Sequence, residues 1–318
     1  MFHMEVCVII HYLLITILGF IIGTISGLFG VGGGFLLVPL LTSVFNIPCN
    51  IAIGSSLCQM IGTSTASTLK HRTYGNVDYR LAMFILIGSI SGAELGAQIL
   101  MFLKNNTKAL LINNCPISQM DFWVNLIYLF LLSLIGISMF MESRKAKKSL
   151  PLSPEEKSLS QKEKGVVKTV FSQKVQNIKI PPLVSLPTSE IESISIWNLI
   201  LLGLFTGMIS GLLGIGGAFI MNPVLIYLIG VPTSVAVGTS LFQTIFIASY
   251  GTLTHFFKGN IDFILVVNIL SGSLIGSQVG AKIHHTLKGR DVRYYFSLVI
   301  FVAVAIVLIK FLLRINYL

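Results

Sequence analysis

Residues 23–39 read GTISGLFGVGGGFLLVP, with six glycines in seventeen positions and no charged residue among them. Each glycine inside a helix costs about 1 kcal/mol relative to alanine, so such a run ordinarily marks a surface loop. Here it interrupts apolar sequence on both sides, which makes a solvent loop the wrong reading. The stretch also returns: residues 207–223 read GMISGLLGIGGAFIMNP, an offset of 184 positions. The register holds without a gap from 23–99 to 207–283, and 33 of the 77 paired positions are identical. IAIGSSLCQMI pairs with VAVGTSLFQTI, TLKHRTYGNVD with TLTHFFKGNID, and GSISGAELGAQI with GSLIGSQVGAKI. Shared greasiness alone does not keep Gly, Pro, Gln, His, Asn and Asp in step over that span, so two halves descend from one unit.

Composition sets the class. The chain is 54% apolar and 11% charged, against about 25% charged in soluble domains. Stretches such as 8–29 and 122–141 approach or exceed the roughly 20 apolar residues that cross a bilayer. The expected fold is an all-α polytopic membrane protein of two homologous repeats, with broken or re-entrant half-helices and about 8–10 membrane segments. No basic residue precedes the first apolar run, so a removable signal peptide is not expected. The net charge of +10 would point to nucleic acid in a soluble protein; here it reflects loops on the cytoplasmic side, and no nucleic acid is expected. The four cysteines show no metal or disulfide spacing, and neither metal nor cofactor is expected.

Three regions follow: 1–141 as the first membrane repeat, 142–195 as a linker, and 196–318 as the second repeat. The linker holds 10 Lys/Arg, 6 Asp/Glu and five prolines, a composition read as a disordered cytoplasmic segment. Five apolar stretches per repeat would invert the second half relative to the first. Four would leave the halves parallel. The charge rule hardly separates these, and the inverted arrangement is favoured because it lets one site alternate between two sides.

Candidate site residues come from the matched positions. Irregular backbone inside a bilayer is tolerated only where protein buries it or it lines a wet cavity. A break followed by a new half-helix aims free N–H groups and a positive dipole end at the break, which suits an anion. That reading covers Gly30, Gly32, Gly33 and Gly34, and in the second copy Gly214, Gly216 and Gly217. Close packing of helices is the competing reading for these glycines, and the favoured one for the stripes at Gly88, Gly92, Gly96 and Gly272, Gly276, Gly280. Gln59 and Gln243 are paired amides deep in apolar sequence, readable as interhelical glue or as donors to a desolvated oxyanion. His71 and His255 are candidates for proton relay. Glu94, an acid within a membrane segment, is a candidate for proton or Na⁺ coupling. Asp78 and Asp262 read as helix N-caps after Gly-Asn turns. No phosphate loop, HExxH or GxSxG is present, and an enzyme is not expected.

The duplicated glycine motif, with IAIGSSL and KHRTYGNVD after it, resembles the TauE/SafE sulfite exporter family, also called the toluene sulfonate uptake permeases. The resemblance covers roughly 20–103 and 197–313 and excludes the linker. It implies a multi-pass inner-membrane secondary carrier for sulfur-containing or other organic anions. The expected partners are the lipid bilayer, a small anionic substrate and H⁺ or Na⁺ as coupling ion, with homo-oligomerisation left open. A passive anion channel, and a membrane scaffold or biogenesis partner acting through the linker, are the alternatives.

Overall fold

The structure, a computed structural model, describes residues 2–45, 47–106, 109–112, 115–148, 169–213 and 218–316. In the first half, α1 (Phe2–Phe29) ends at the glycine run and the ten-residue α2 (Gly34–Ser43) follows it. Then come α3 (Cys49–Thr73), α4 (Tyr79–Asn106) and α5 (Gln119–Lys148). After a short helix α6 (Val170–Asn177) the second half runs through α7 (Ile196–Leu213) and α8 (Ala218–Pro223). The chain continues past Pro223 as a π-helical turn (Val224–Ile229), then α9 (Thr233–Phe257), α10 (Phe263–Thr286) and α11 (Gly289–Asn316).

Local chemistry places these boundaries, and the same geometry recurs 184 residues on. Pro48 and Pro232 stand at the N-caps of α3 and α9 with φ/ψ of −52°/136° and −53°/138°. Gly75 and Gly259 turn the chain after those helices at φ 69° and 67°. Asp78 and Asp262 then cap α4 and α10, each Oδ1 accepting from the amide three residues on at 3.0 Å. The halves also exchange contacts here: Thr239 accepts from the Asp78 amide at 3.1 Å, and Ser55 from the Asp262 amide at 3.0 Å.

Two glycine seams hold the halves together. A Cβ on Gly19, Gly23 or Gly27 of α1 would fall 2.1–2.3 Å from the carbonyl oxygens of Ile269, Ser273 and Ser277 on α10. Gly203, Gly207 and Gly211 of α7 meet Ile85, Ser89 and Ala93 of α4 at 2.2 Å in the same way. The partner helices return the approach through Gly272, Gly276 and Gly280, and through Gly88, Gly92 and Gly96. Backbones this close gain dispersion and weak Cα–H···O contacts that no larger residue permits. The ascending pairs make α1 run parallel to α10, and α4 parallel to α7. By contrast α3 and α9 run antiparallel, Gly54 lying against His255 and Gly251 against Leu57.

Among the described residues, three helices are long and apolar enough to cross a membrane by length and composition: residues 12–29 of α1, α10, and residues 289–308 of α11. The central α3 falls outside that set for a physical reason. Most of its polar side chains, Ser55, Ser56, Gln59, Thr63, Ser64 and His71 among them, are buried among other helices and face protein rather than lipid. The apolar surplus lies outside instead, at Leu13, Ile21, Leu201, Phe205, Ile264 and Ile275, as expected of a chain whose solvent is hydrocarbon.

Two expectations need correction. The fold is not purely α-helical: β1 (Ala109–Ile112) pairs with β2 (Cys115–Ser118), and β3 (Leu183–Leu186) with β4 (Ile191–Ser195), both antiparallel. Nor is 142–195 unstructured throughout. Residues 142–148 complete α5, and 169–195 form α6 and the β3–β4 hairpin; residues 149–168 lie outside the described residues. The hairpin orders because Leu186, Ile191 and Ile194 are buried with Leu225, Ile226 and Ile229 in one apolar cluster.

Candidate functional site

The break after α1 is built from backbone. Gly30, Gly32 and Gly33 take φ of 73°, 70° and 82°, the left-handed region that only glycine enters cheaply. Gly33 is the N-cap of α2 and offers no side-chain acceptor, so the first amides of α2 receive no capping bond from it. Residues 30–34 are all buried.

The two sides of the break are treated differently. A helix end leaves its last carbonyls unsatisfied, yet here every carbonyl from Ser26 to Gly30 has a donor. The Gly30 amide donates to the Ser26 oxygen at 2.8 Å. His71 Nε2–H of α3 donates to the Gly27 oxygen at 2.9 Å, and His284 Nδ1–H of α10 to the Leu28 oxygen at 2.7 Å. Asn222 Nδ2 of α8 serves Phe29, and Ser240 Oγ of α9 serves Gly30 at 2.9 Å. Both halves of the molecule therefore close the carbonyl end. Among the described residues no acceptor faces the amides of Val31, Gly32, Gly33 or Gly34. The carbonyl end of α1 is thus closed, while the amides that follow it meet no acceptor among the described residues.

Its walls are neutral. A Cβ on Gly32 would lie 2.6 Å from Met60 Cε, 2.9 Å from Thr244 Cγ2 and 3.8 Å from Ser64 Oγ, and one on Gly33 3.7 Å from Ser26 Cβ. Ser26 Oγ, Ser64 Oγ and Asn222 Oδ1 are buried without hydrogen-bond partners. Buried hydroxyls without partners are costly unless a ligand or water meets them. Around the break they are the side-chain groups left to serve one.

The other candidates spread out. Gln59 Nε2 donates to Thr63 Oγ1 and, at 2.8 Å, to Ser273 Oγ, joining α3 to α10. Gln243 Nε2 donates to the Ala82 oxygen of α4 at 3.1 Å. Both amides keep a buried, unpartnered Oε1. Glu94 is exposed on α4, and its carboxylate accepts from Tyr250 Oη at 2.6 Å and Gln98 Nε2 at 3.1 Å. The structure does not bring it to the break. His71 joins the break as a carbonyl donor, whereas His255 is only partly buried at the far end of α9. Gly214, Gly216 and Gly217 lie outside the described residues.

Sequence reasoning missed His284 and Asn222. Both lack a twin, since Leu100 and Val38 hold the equivalent places, so a search for polar residues matched between the halves passes over them.

These features define a helical membrane protein with a buried backbone break between two interlocked halves. The family model described as Sulfite exporter TauE/SafE matches residues 15–308. The chain belongs to that family. It is similar to the probable membrane transporter protein YunE of Bacillus subtilis, 26% identical over 288 residues that cover 88% of this chain and 91% of that protein. It is similar to YdhB of the same organism, 25% identical over 85% of this chain and 89% of that protein. A probable membrane transporter protein of Xylella fastidiosa is 42% identical over 74 residues, covering 23% of this chain and 28% of its own. No solved structure matches the chain.

Proposed function

We propose that the protein is a secondary carrier of a small anion, with sulfite and organosulfonates the substrates to try first. One observation carries the reading: every carbonyl of the last turn of α1, from Ser26 to Gly30, is capped, while among the described residues no acceptor meets the amides of residues 31–34. A cation site needs the reverse arrangement. Open amides at the start of α2, together with that helix's dipole, attract an anion without any fixed positive charge. A neutral site also favours release, because no salt bridge has to be broken to let the anion leave.

The antiparallel course of α3 and α9 supports inverted halves, in which one site can be served from either side by rocking of the halves. Charge supports the orientation. His71 and His284 lie 5.0 Å apart, and Tyr74 stacks on His285 at 4.0 Å, so the basic ends of α3 and α10 meet. That end gathers Lys70, Arg72, Arg80, Lys282, Lys288 and Arg290 beside the linker, and is assigned to the cytoplasm of an inner-membrane protein.

The test is uptake of labelled sulfite, and separately of a small sulfonate, into proteoliposomes under imposed proton or Na⁺ gradients. Saturable uptake that follows a gradient supports a carrier. Non-saturating flux indicates a channel, and no flux under any gradient removes the reading for those substrates.

A further inference from the structure

The end of the half-helix in the second half is covered, and its counterpart in the first half is bare. After Pro223 the α8 segment loosens into a π-helical turn that ends at Gly230, φ 84°. Thr169 Oγ1 donates to the Tyr227 carbonyl, and Gln176 Nε2 to the Ile229 carbonyl at 2.7 Å, so α6 caps that turn. Asn198 Nδ2 of α7 holds the end of α6 through the Val175 and Ile178 carbonyls at 3.0 and 3.2 Å. The 3₁₀ turn between β3 and β4 reaches the other half: Ser189 Oγ donates at 2.6 Å to Asp78 Oδ2, the carboxylate that caps α4. Beneath these bonds Leu186 and Ile194 are buried with Ile229, Val231 and Val235. Tyr227 is held from its other end as well, its hydroxyl donating to Glu142 Oε2 at 2.9 Å, an oxygen shared with Arg293 Nε at 2.9 Å.

At the opposite end nothing comparable is present among the described residues. Asp262 caps Leu265. Val44, just beyond α2, is 63% exposed, and an open apolar groove of about 610 Å³ runs beside it between α1 and α2, lined by Leu14, Ile17, Ile21, Leu40 and Phe45. Two ends that are equivalent by sequence differ because one carries residues 169–195.

We propose that residues 169–195 form a latch, seated across both halves, that closes the cytoplasmic approach to the break and must lift before the site can open on that side. The claim rests on the carrier reading for its purpose, but not for its test. The latch is suited to reversible seating: besides its buried Leu186 and Ile194 it is tied by hydrogen bonds from Thr169, Gln176 and Ser189, and among the described residues by no salt bridge. It grips the two elements expected to move against each other, the α8 turn and the loop that carries Asp78.

The test uses the full chain with Cys7, Cys49, Cys58 and Cys115 replaced by alanine and Thr244→Cys as a probe beside Gly32. Membrane-impermeant thiol reagent is applied to inside-out and right-side-out vesicles. Releasing the latch with Gln176→Ala plus Ser189→Ala is expected to speed modification from the cytoplasmic side at least tenfold and leave the outside rate unchanged. Locking is the converse. A Cβ on Gly230 would stand 3.2 Å from Ser172 Cβ, near the span of a disulfide, about 3.5–4.5 Å. Ser172→Cys with Gly230→Cys, once oxidised, is expected to slow cytoplasmic modification tenfold until reductant is added. An unchanged cytoplasmic rate in the released protein, or equal acceleration from both sides, overturns the latch. Latch-dependent labelling in a protein that moves no anion overturns the carrier reading and leaves the latch standing.

Discussion

His71 and His284 meet edge to face with ring centroids 5.0 Å apart, and each donates to a different carbonyl in the last turn of α1. One histidine comes from each half of the chain, so the end of α1 is fixed by both. This pairing forces each ring to carry its proton on the nitrogen facing α1, leaving His71 Nδ1 and His284 Nε2 as buried, unpartnered acceptors.

Removing either donor strands a buried carbonyl. His284→Ala is expected to destabilise the protein by about 1–3 kcal/mol, seen as a lower thermal midpoint in detergent. Asn222→Ala acts on the next carbonyl and is expected to fall in the same range. Because the two donors serve one turn, a double-mutant cycle between them should show coupling of about 0.5 kcal/mol or more. Additive losses would mean that the turn is not a unit.

The glycine seams give a paired prediction. A Cβ at Gly92 would sit 2.1 Å from the Leu204 oxygen, and one at Gly276 2.1 Å from the Phe20 oxygen. Gly92→Ala and Gly276→Ala should therefore cost alike, about 1–3 kcal/mol each from overpacking. Gly75→Ala and Gly259→Ala meet nothing within 4 Å, and only the left-handed backbone penalises them, by roughly 1–2 kcal/mol. Thermal unfolding of the four variants checks both halves of the comparison.

Two ion pairs among the described residues differ in burial. The Arg293 side chain is 5% exposed and Glu142 27%, and the guanidinium engages both carboxylate oxygens at 2.9 and 3.1 Å. Glu142→Ala leaves that buried cation without its carboxylate and is expected to cost about 3 kcal/mol, the low end for a fully buried pair because Glu142 is partly wet. Asp291→Ala breaks a pair 38% and 36% exposed, worth about 0–1 kcal/mol. Denaturation in matched detergent should rank them in that order.

Glu94 lies outside the break and is tied to Tyr250 and Gln98. A glutamine there still accepts from Tyr250. Glu94→Gln is expected to keep gradient-driven uptake within about twofold, which corresponds to roughly 0.4 kcal/mol. A larger loss, with the fold intact, would return coupling to this carboxylate.

Much of this architecture was readable in the chain because the signals are local and written twice. The break at residues 30–34, the short helix after it, and the Asp78 and Asp262 caps each follow from a few residues whose backbone preferences are strong. The donors from Asn222 and His284 were not readable. Their value comes from one carbonyl turn in three dimensions, and the opposite half has Val38 and Leu100 in their places. The order of 169–195 was hidden for another reason. LVSL and IESIS are too short to stand alone as strands, and the buried cluster around the π-helical turn, remote in sequence, gives Leu186 and Ile194 a core to enter.

The central claim is that open amides at the glycine break hold the transported anion. The most direct measurement compares saturable anion uptake by the wild type and by Gly32→Ala in proteoliposomes, with matched thermal midpoints showing that both are folded. A Cβ there would intrude on Met60 and Thr244 and force the left-handed turn to shift. The account predicts saturable wild-type uptake that Gly32→Ala lowers at least tenfold. Uptake that persists unchanged in the variant would contradict it.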